Sequence, residues 1–328
     1  MKTIAFFNNK GGVGKTSLVY HLAWMFADRG IRTIAVDLDP QANLTAMFLN
    51  ESKLEKIWPD NGHPETIFGS IEPIQRGLGD IAKPNIEKIS DKLGLIPGDL
   101  ALSNFEDKLS ESWPKCHNRD EAAFRVMTAF YRLISAASDE FNAELVLIDV
   151  GPNLGAINRS AIIASDQVIL PLAPDLFSLQ GLKNLGPTLR AWRSAWSELT
   201  PKAPKDLLIP NGSMAPAGYI VMQHGIRDSR PVKAYQRWLD RIPTIYRSAV
   251  LDTDFSTVPA IENDEFSLAK LKHYRSLMPM AMEANKPIFF LKSSDGAIGA
   301  HMEAVNDCYL DFLELAKKIG KGVGITVN

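Results

Sequence analysis

Cysteine is almost missing from this chain of 328 residues: it has Cys116 and Cys308, far apart, and neither sits in a C-x-x-C. That leaves no disulfide framework and no cysteine metal site, and it fits a reducing cytoplasm. The N-terminal apolar stretch is broken by Asn8-Asn9-Lys10 and is too short for a signal peptide. No apolar run approaches the roughly 20 residues that a membrane span needs. A charge excess is lacking as well. With 36 basic and 38 acidic side chains the formal net charge is −2, so any nucleic-acid surface has to be a local patch. Internal repeats and low-complexity tracts are absent. What remains, 45% hydrophobic and 23% charged, is an ordinary globular composition, long enough for two domains or one large α/β domain.

What is present is concentrated near the start. Thr3-Ile4-Ala5-Phe6-Phe7 is an apolar stretch of strand length, and Leu18, Val19, Leu22, Ala23 and Phe26 recur at helical spacing. Between them lies Asn8-Asn9-Lys10-Gly11-Gly12-Val13-Gly14-Lys15-Thr16-Ser17. A glycine-rich turn between strand and helix is the context of a phosphate-binding loop, where backbone amides converge at a helix N-terminus. Gly11, Gly12, Val13, Gly14, Lys15, Thr16 and Ser17 would form the cradle. Lys15 would reach the β- and γ-phosphates of a nucleotide, and the Thr16 hydroxyl would take one position on Mg²⁺. The G-x-x-x-x-G-K-[ST] pattern is imperfect, because Asn9 stands at its first glycine. The deviant form K-G-G-x-G-K-[ST], which begins at Lys10, is complete.

Asn9–Thr16 resembles the ParA/Soj branch of the ParA–MinD ATPases. Val36-Asp37-Leu38-Asp39-Pro40-Gln41-Ala42-Asn43 and Leu145-Val146-Leu147-Ile148-Asp149-Val150-Gly151-Pro152 are similar to two further stretches of that branch. The resemblance implies a doubly wound α/β fold with a mostly parallel sheet flanked by helices. It implies an ATPase using ATP and Mg²⁺, stimulated by a partner and DNA, that dimerises on ATP and binds DNA nonspecifically. Its task would be segregating or positioning a plasmid, chromosome or protein cargo, with a ParB-like or cargo-adaptor partner, in a cytoplasmic, nucleoid-associated setting. Lys10 would act in trans on the partner's phosphates, so Lys10, Lys15 and Asp39 form the expected catalytic set. Thr16, Asp39 and Asp149 are the expected metal set. The family usually carries Asp-x-Pro-Pro where this chain has Asp149-Val150-Gly151-Pro152, and Gly151 would loosen that loop.

Along the chain, a helix is expected from about Lys15 to Asp28, closed by Gly30. Thr33–Val36 reads as a buried strand, with Asp37 and Asp39 at its carboxyl end, where open α/β sheets bind ligands. Both acids also suit a simpler role, capping a helix near Gln41–Phe48. The apolar period of Glu121–Phe141 predicts one long amphipathic helix, after a polar, loop-like stretch from 110 to 120. Leu145–Ile148 reads as a parallel strand ending in Asp149, placed to hold Mg²⁺ through water. Val168–Leu172 and Gly218–Gln223 are further strands, and Met222-Gln223 falls where relatives contact adenine. The whole of 1–328 is expected as one domain, with insertions near 50–120, 197–216 and 253–285. Val305, Tyr309, Phe312, Leu313, Ala316 and Ile319 share one face of a last, core-packing helix.

A basic stripe completes the reading. Arg230, Lys233, Arg237 and Arg241 fall on one face of a helix beginning near Pro231, with Arg227 just before it and Arg247 beyond. Such a stripe neutralises phosphates without reading bases. A solvated helix face is the plainer reading. Arg227 matches a family arginine whose contact with DNA is nonspecific, which implies a DNA surface of Arg227, Arg230, Lys233, Arg237 and Arg241. Lys270, Lys272 and Arg275, or Lys317, Lys318 and Lys321, would extend it. Two other classes compete: a MinD-like membrane-cycling regulator, which needs a terminal amphipathic helix facing lipid, and a metabolic enzyme on the same scaffold.

Overall fold

The computed structural model describes residues 1–222, 232–254, 257–272, 274 and 276–328, without the side chains of 232–234. Among the described residues eight strands form one sheet: β1 (Lys2–Phe6), β2 (Thr33–Leu38), β3 (Glu87–Lys88), β4 (Leu93–Ile96), β5 (Leu145–Val150), β6 (Gln167–Leu172), β7 (Ala215–Met222) and β8 (Ser267–Leu271). Their order is β3-β4-β2-β5-β1-β6-β7-β8, and every pairing is parallel except the short β3 against β4. The expected doubly wound α/β sheet is therefore the fold of the protein.

Alternation along β1 explains the two-sided core. Ala5 and Phe7 enter one apolar cluster, with Phe124, Phe130 and Trp196. Ile4 and Phe6 enter the other, with the helix Lys15–Asp28 and the last helix, Ala300–Val323. A strand covered on both faces has to be apolar throughout, and β2 and β5 are buried at all six positions each. Among these buried positions stand Asp37 and Asp149, side by side in the β2–β5 register. β5 lies between β1 and β2, so the chain reverses its direction of travel at β1. The carboxyl ends of β1, β2 and β5 meet at that switch point, where such sheets bind ligands.

Two expectations need correction. The 110–120 stretch is helical as far as Cys116, in the helix Phe105–Cys116, because Phe105, Leu109, Ser112 and Cys116 bury one face. The long helix expected over Glu121–Phe141 is two, Glu121–Met127 and Ala129–Phe141. The break is at Thr128, whose φ of −99° and ψ of 5° leave the helical region while its amide and hydroxyl both bond to the Phe124 carbonyl, at 3.0 and 2.8 Å. The stretches 50–120, 197–216 and 253–285 hold β3 and β4, the end of the helix Leu176–Leu199, and β8. Gln223 and Pro231 lie outside the described residues.

Candidate functional site

The strand-turn-helix at β1 has the form its sequence predicts, with the helix spanning Lys15–Asp28. Gly12 and Gly14 turn the loop with φ of 74° and 86°, in the left-handed region that favours glycine. A Cβ on Gly14 would also stand 3.0 Å from Met222 Cε. No side chain caps this helix, and the first amide bonded back to its turn is that of Leu18, to the Gly14 carbonyl. The amides ahead of it are free to face an anion, reinforced by the helix dipole.

Two anchors missed by the sequence reading hold the loop to its neighbours. Asn8 is buried; its side chain donates to the Pro171 carbonyl at 2.5 Å and accepts from the Lys10 amide at 2.9 Å. Asn9 lies over Gly181, where a Cβ would come within 2.6 Å of its Oδ1. Glycine at 181 therefore gives the loop room against the helix Leu176–Leu199. No local pattern announces either contact, since the partners lie more than 160 residues away.

The two lysines of the loop differ in their surroundings. Lys15 is buried, and its ammonium lies 3.6 Å from Asp149 Oδ1. Lys10 is one-third exposed and pairs with Asp175, the N-cap of the helix Leu176–Leu199. Burial works against the charge on Asp175. The bonds from Lys10 and the Ser178 amide outweigh it and hold the carboxyl below its usual range. The Lys10 ammonium also lies 5.9 Å from the centre of the Phe177 ring, which is largely exposed.

Asp149 is fully buried, and among the described residues neither of its carboxylate oxygens has a hydrogen-bond partner beyond the ion pair with Lys15. Burial pushes its carboxyl up; Lys15 and Thr16 oppose this, while Asp39 adds to it. The Lys15 ammonium offsets part of the cost of burying this charge, and the oxygens without hydrogen bonds leave room for a further cation or its waters. Asp37 answers the open question differently from Asp39. Its Oδ2 accepts from the Thr45 amide and hydroxyl, both at 2.8 Å, so it anchors the helix Asn43–Phe48. Burial pushes the Asp37 carboxyl up to about 7, with Asp149 adding and Thr45 opposing. Asp39 is buried at the edge of the site, and one oxygen accepts from the Gln41 amide at 3.0 Å. It thus caps the turn locally while facing Gly151 of the next loop.

A cavity of about 130 Å³ opens beside the loop, lined by Gly14, Ser17, Met222, Tyr274, Met278 and Ile288 among others. Met222, the described half of the expected adenine-contacting pair, is in its wall. The structure brings Lys10 through Ser17, Asp39 and Asp149 to one end of the sheet.

The basic stripe is only partly described. Arg227 and Arg230 lie outside the described residues, and so does the side chain of Lys233. The helix Val232–Leu239 is present, and Arg237 and the following Arg241 are exposed, with their guanidinium groups 5.5 and 5.3 Å from the Trp238 ring. Leu239 and Ile242 are buried. Arg247 does not belong to the stripe: it is buried and pairs with Asp264 at 2.6 Å. Lys270 and Lys272 are paired with Glu262 and Asp307, and Arg275 lies outside the described residues.

A sequence profile described as an AAA domain matches residues 1–199. Protein IncC of Escherichia coli is 34% identical over 195 residues, covering 58% of this chain and 46% of IncC. The sporulation initiation inhibitor protein Soj of Bacillus subtilis is 29% identical over 190 residues, 58% of this chain and 65% of Soj. The match takes in about half the length of the curated relatives. The structure of an ATP complex of a Cyanothece McdA variant superposes with a TM-score of 0.64 at 16% identity, covering 99% of this chain and 97% of that one, a likeness of fold.

Proposed function

The chain belongs to the ParA–MinD family of P-loop ATPases, and from that premise we propose that it is a dimerising ATPase. In this reading ATP and Mg²⁺ join two copies, the dimer holds DNA without sequence preference, and hydrolysis releases it. The work done is segregating or positioning a plasmid, chromosome or protein cargo, through a ParB-like or cargo-adaptor partner, on the nucleoid. The observation that carries the reading is the contrast between the two loop lysines. Lys15 is buried against Asp149, where it serves its own nucleotide. Lys10 points away to the rim at Asp175, where a partner copy's phosphates are within its reach after that pair opens.

The residues fit the nucleotide and the metal. The Gly11–Thr16 backbone and Lys15 bind and orient the triphosphate. Thr16 and Asp149 hold the Mg²⁺ side, and the unpartnered oxygens of Asp149 are the acceptors such an ion or its waters require. Mg²⁺, when bound, withdraws charge from the phosphates. Among the described residues no group of three or more His, Cys, Asp or Glu side chains is arranged to hold a metal. That suits an ion held chiefly by phosphate and water, as Mg²⁺ usually is. Asp39 orients water on the γ-phosphate side, and the cavity beside Gly14 and Met222 takes the base.

Arg237 and Arg241, with Arg227, Arg230 and Lys233, supply the phosphate contacts to DNA, and two copies joined through ATP double them. The single domain spans 1–328. Against the membrane-cycling alternative, the last helix buries its apolar face, with Val305, Phe312, Leu315 and Ile319, in the core. Light scattering with ATP, ADP or neither, followed by gel shifts on unrelated duplexes across a salt series, tests the proposal. An ATP-specific dimer that alone retains DNA supports it, and DNA binding indifferent to nucleotide contradicts it. Sedimentation with liposomes only in ATP would favour the membrane reading instead.

A further inference from the structure

The loop that follows Asp149 is held in an unexpected way. Gly151 stands two residues after that acid, at a position where a proline would have no N–H and a fixed φ. Glycine brings both a donor and backbone freedom, which should slacken the loop. The structure shows the slack taken up by one side chain. Asn158, 1% exposed in the helix Ala156–Ile163, accepts from the Gly151 amide at 3.1 Å and donates to the Gly151 carbonyl at 2.8 Å. The same Nδ2 donates to the Asn153 carbonyl at 2.6 Å. One N–H and two carbonyls fix which way the amide points. Both polar groups of residue 151 are thus closed onto one buried side chain.

The clamped residue is also next to the chemistry. A Cβ on Gly151 would lie 3.5 Å from Asp39 Oδ1 and 3.6 Å from Asn158 Nδ2. The peptide that Asn158 holds is therefore the wall against which Asp39 rests, and its chain neighbour Val150 follows Asp149 at the end of β5. We infer that Asn158 is a positioning residue: it clamps Gly151 and so sets Asp39 and the loop after Asp149, the task a proline at 151 would do by its ring. It acts through Gly151, not directly on the reacting atoms. This deepens the ATPase reading above and rests on it for its kinetic arm.

The site permits a direct substitution test. Val150 is in an extended strand, the conformation required of a residue before proline. A Cβ at 151 meets only ordinary contacts, and the φ there is not left-handed. In the parent, a proline at 151 would press its ring on Asn158 Oδ1 and leave that oxygen without its donor. With Asn158 shortened, the same proline would have room and would restore stiffness. Asn158→Ala should therefore lower kcat for ATP by about tenfold with KM for ATP changed less than about threefold, a loss of orientation rather than of binding. Gly151→Pro alone should also lower kcat. The double variant should recover to within about threefold of the parent, a reversal of sign that a merely structural asparagine does not produce.

Parental kcat in Asn158→Ala, or a double variant as slow as the product of the two singles, overturns the inference. A second arm needs no activity: hydrogen exchange of the Gly151 amide, read by mass spectrometry over residues 145–158 of the nucleotide-free protein. Exchange should be slow in the parent and fast in Asn158→Ala. Fast exchange in the parent overturns the clamp, even if the alanine variant fails to fold. A parent that does not turn over ATP refutes the ATPase reading, while the exchange arm still decides the clamp.

Discussion

His21 links the phosphate loop to the far end of the chain, and its protonation should be felt as stability. It sits on the loop helix, 1% exposed. Its Nδ1 donates to the Ser17 carbonyl at 2.7 Å, its Nε2 accepts from the Ile288 amide at 3.1 Å, and its ring stacks on Phe312 at 5.1 Å. A second proton would go onto Nε2, turning the Ile288 contact into donor against donor. Burial lowers the pKa from 6.5 to about 4, with the Ser17 bond opposing. The folded value lies below the unfolded one. The stabilisation from holding the ring neutral is therefore complete above pH 6.5 and is lost as the pH falls towards 4. At about 1.4 kcal/mol for each tenfold, that gap comes to about 3 kcal/mol, a large part of a typical folding stability. Asp37, whose carboxyl is raised to about 7, and Asp149, also raised, act with the opposite sign, so the parent's curve alone does not isolate His21. The comparison is with His21→Gln, whose amide oxygen replaces Nε2 as acceptor and does not titrate. Urea unfolding at about pH 7.5 and about pH 4.5 should show the stability gap between parent and variant shift by about 2–3 kcal/mol in the variant's favour at the lower pH. A gap that does not move with pH refutes the argument that His21 is held neutral.

Three further outcomes follow from the site. Lys10→Ala should bind ATP with about parental affinity yet fail to dimerise on ATP, since its ammonium is at the rim with Asp175 and not in its own site; light scattering checks this, and normal dimerisation contradicts it. Asp39→Ala should bind ATP and dimerise but stall before hydrolysis, with phosphate release reduced at least about tenfold; loss of nucleotide binding would instead leave it as a cap for the turn at Gln41. Arg237→Ala with Arg241→Ala should keep the ATP dimer and reduce DNA retention in gel shifts, with a shallower salt dependence by about 2 in log–log slope per copy, as expected when two phosphate contacts are lost; an unchanged slope would make these arginines a solvated face over Trp238.

Much of this was legible in the sequence where burial is two-sided or the chemistry is local. The loop helix has the predicted bounds because its glycines and apolar spacing are contiguous, and β2 and β5 read plainly as unbroken apolar runs. The break at Thr128 was missed because the apolar period runs on through it, and only its backbone dihedrals leave the helix. β8 was missed because Ser267-Leu268-Ala269-Lys270-Leu271 is short and set among charges, and only pairing with β7 makes it a strand. Arg247 looked like its basic neighbours until Asp264, seventeen residues on, supplied a buried partner. The division of labour between Asp37 and Asp39 could not be read from their spacing. It depends on Thr45 reaching back to one of them. The anchors Asn8 and Asn158 carry no motif, because a buried amide acquires its role from the backbone groups the fold brings to it.

The central claim is a Mg²⁺-dependent nucleoside triphosphate site built on Lys15 and Asp149. Calorimetric titration of ATP into the parent and into Lys15→Ala, each with Mg²⁺ and with chelator, tests it most directly. The parent should bind ATP saturably, and more weakly in chelator. Lys15→Ala should lose about 10–100-fold in affinity, from one charge-assisted contact of about 1.5–3 kcal/mol. Equal affinity in parent and variant, or binding indifferent to Mg²⁺, would contradict it.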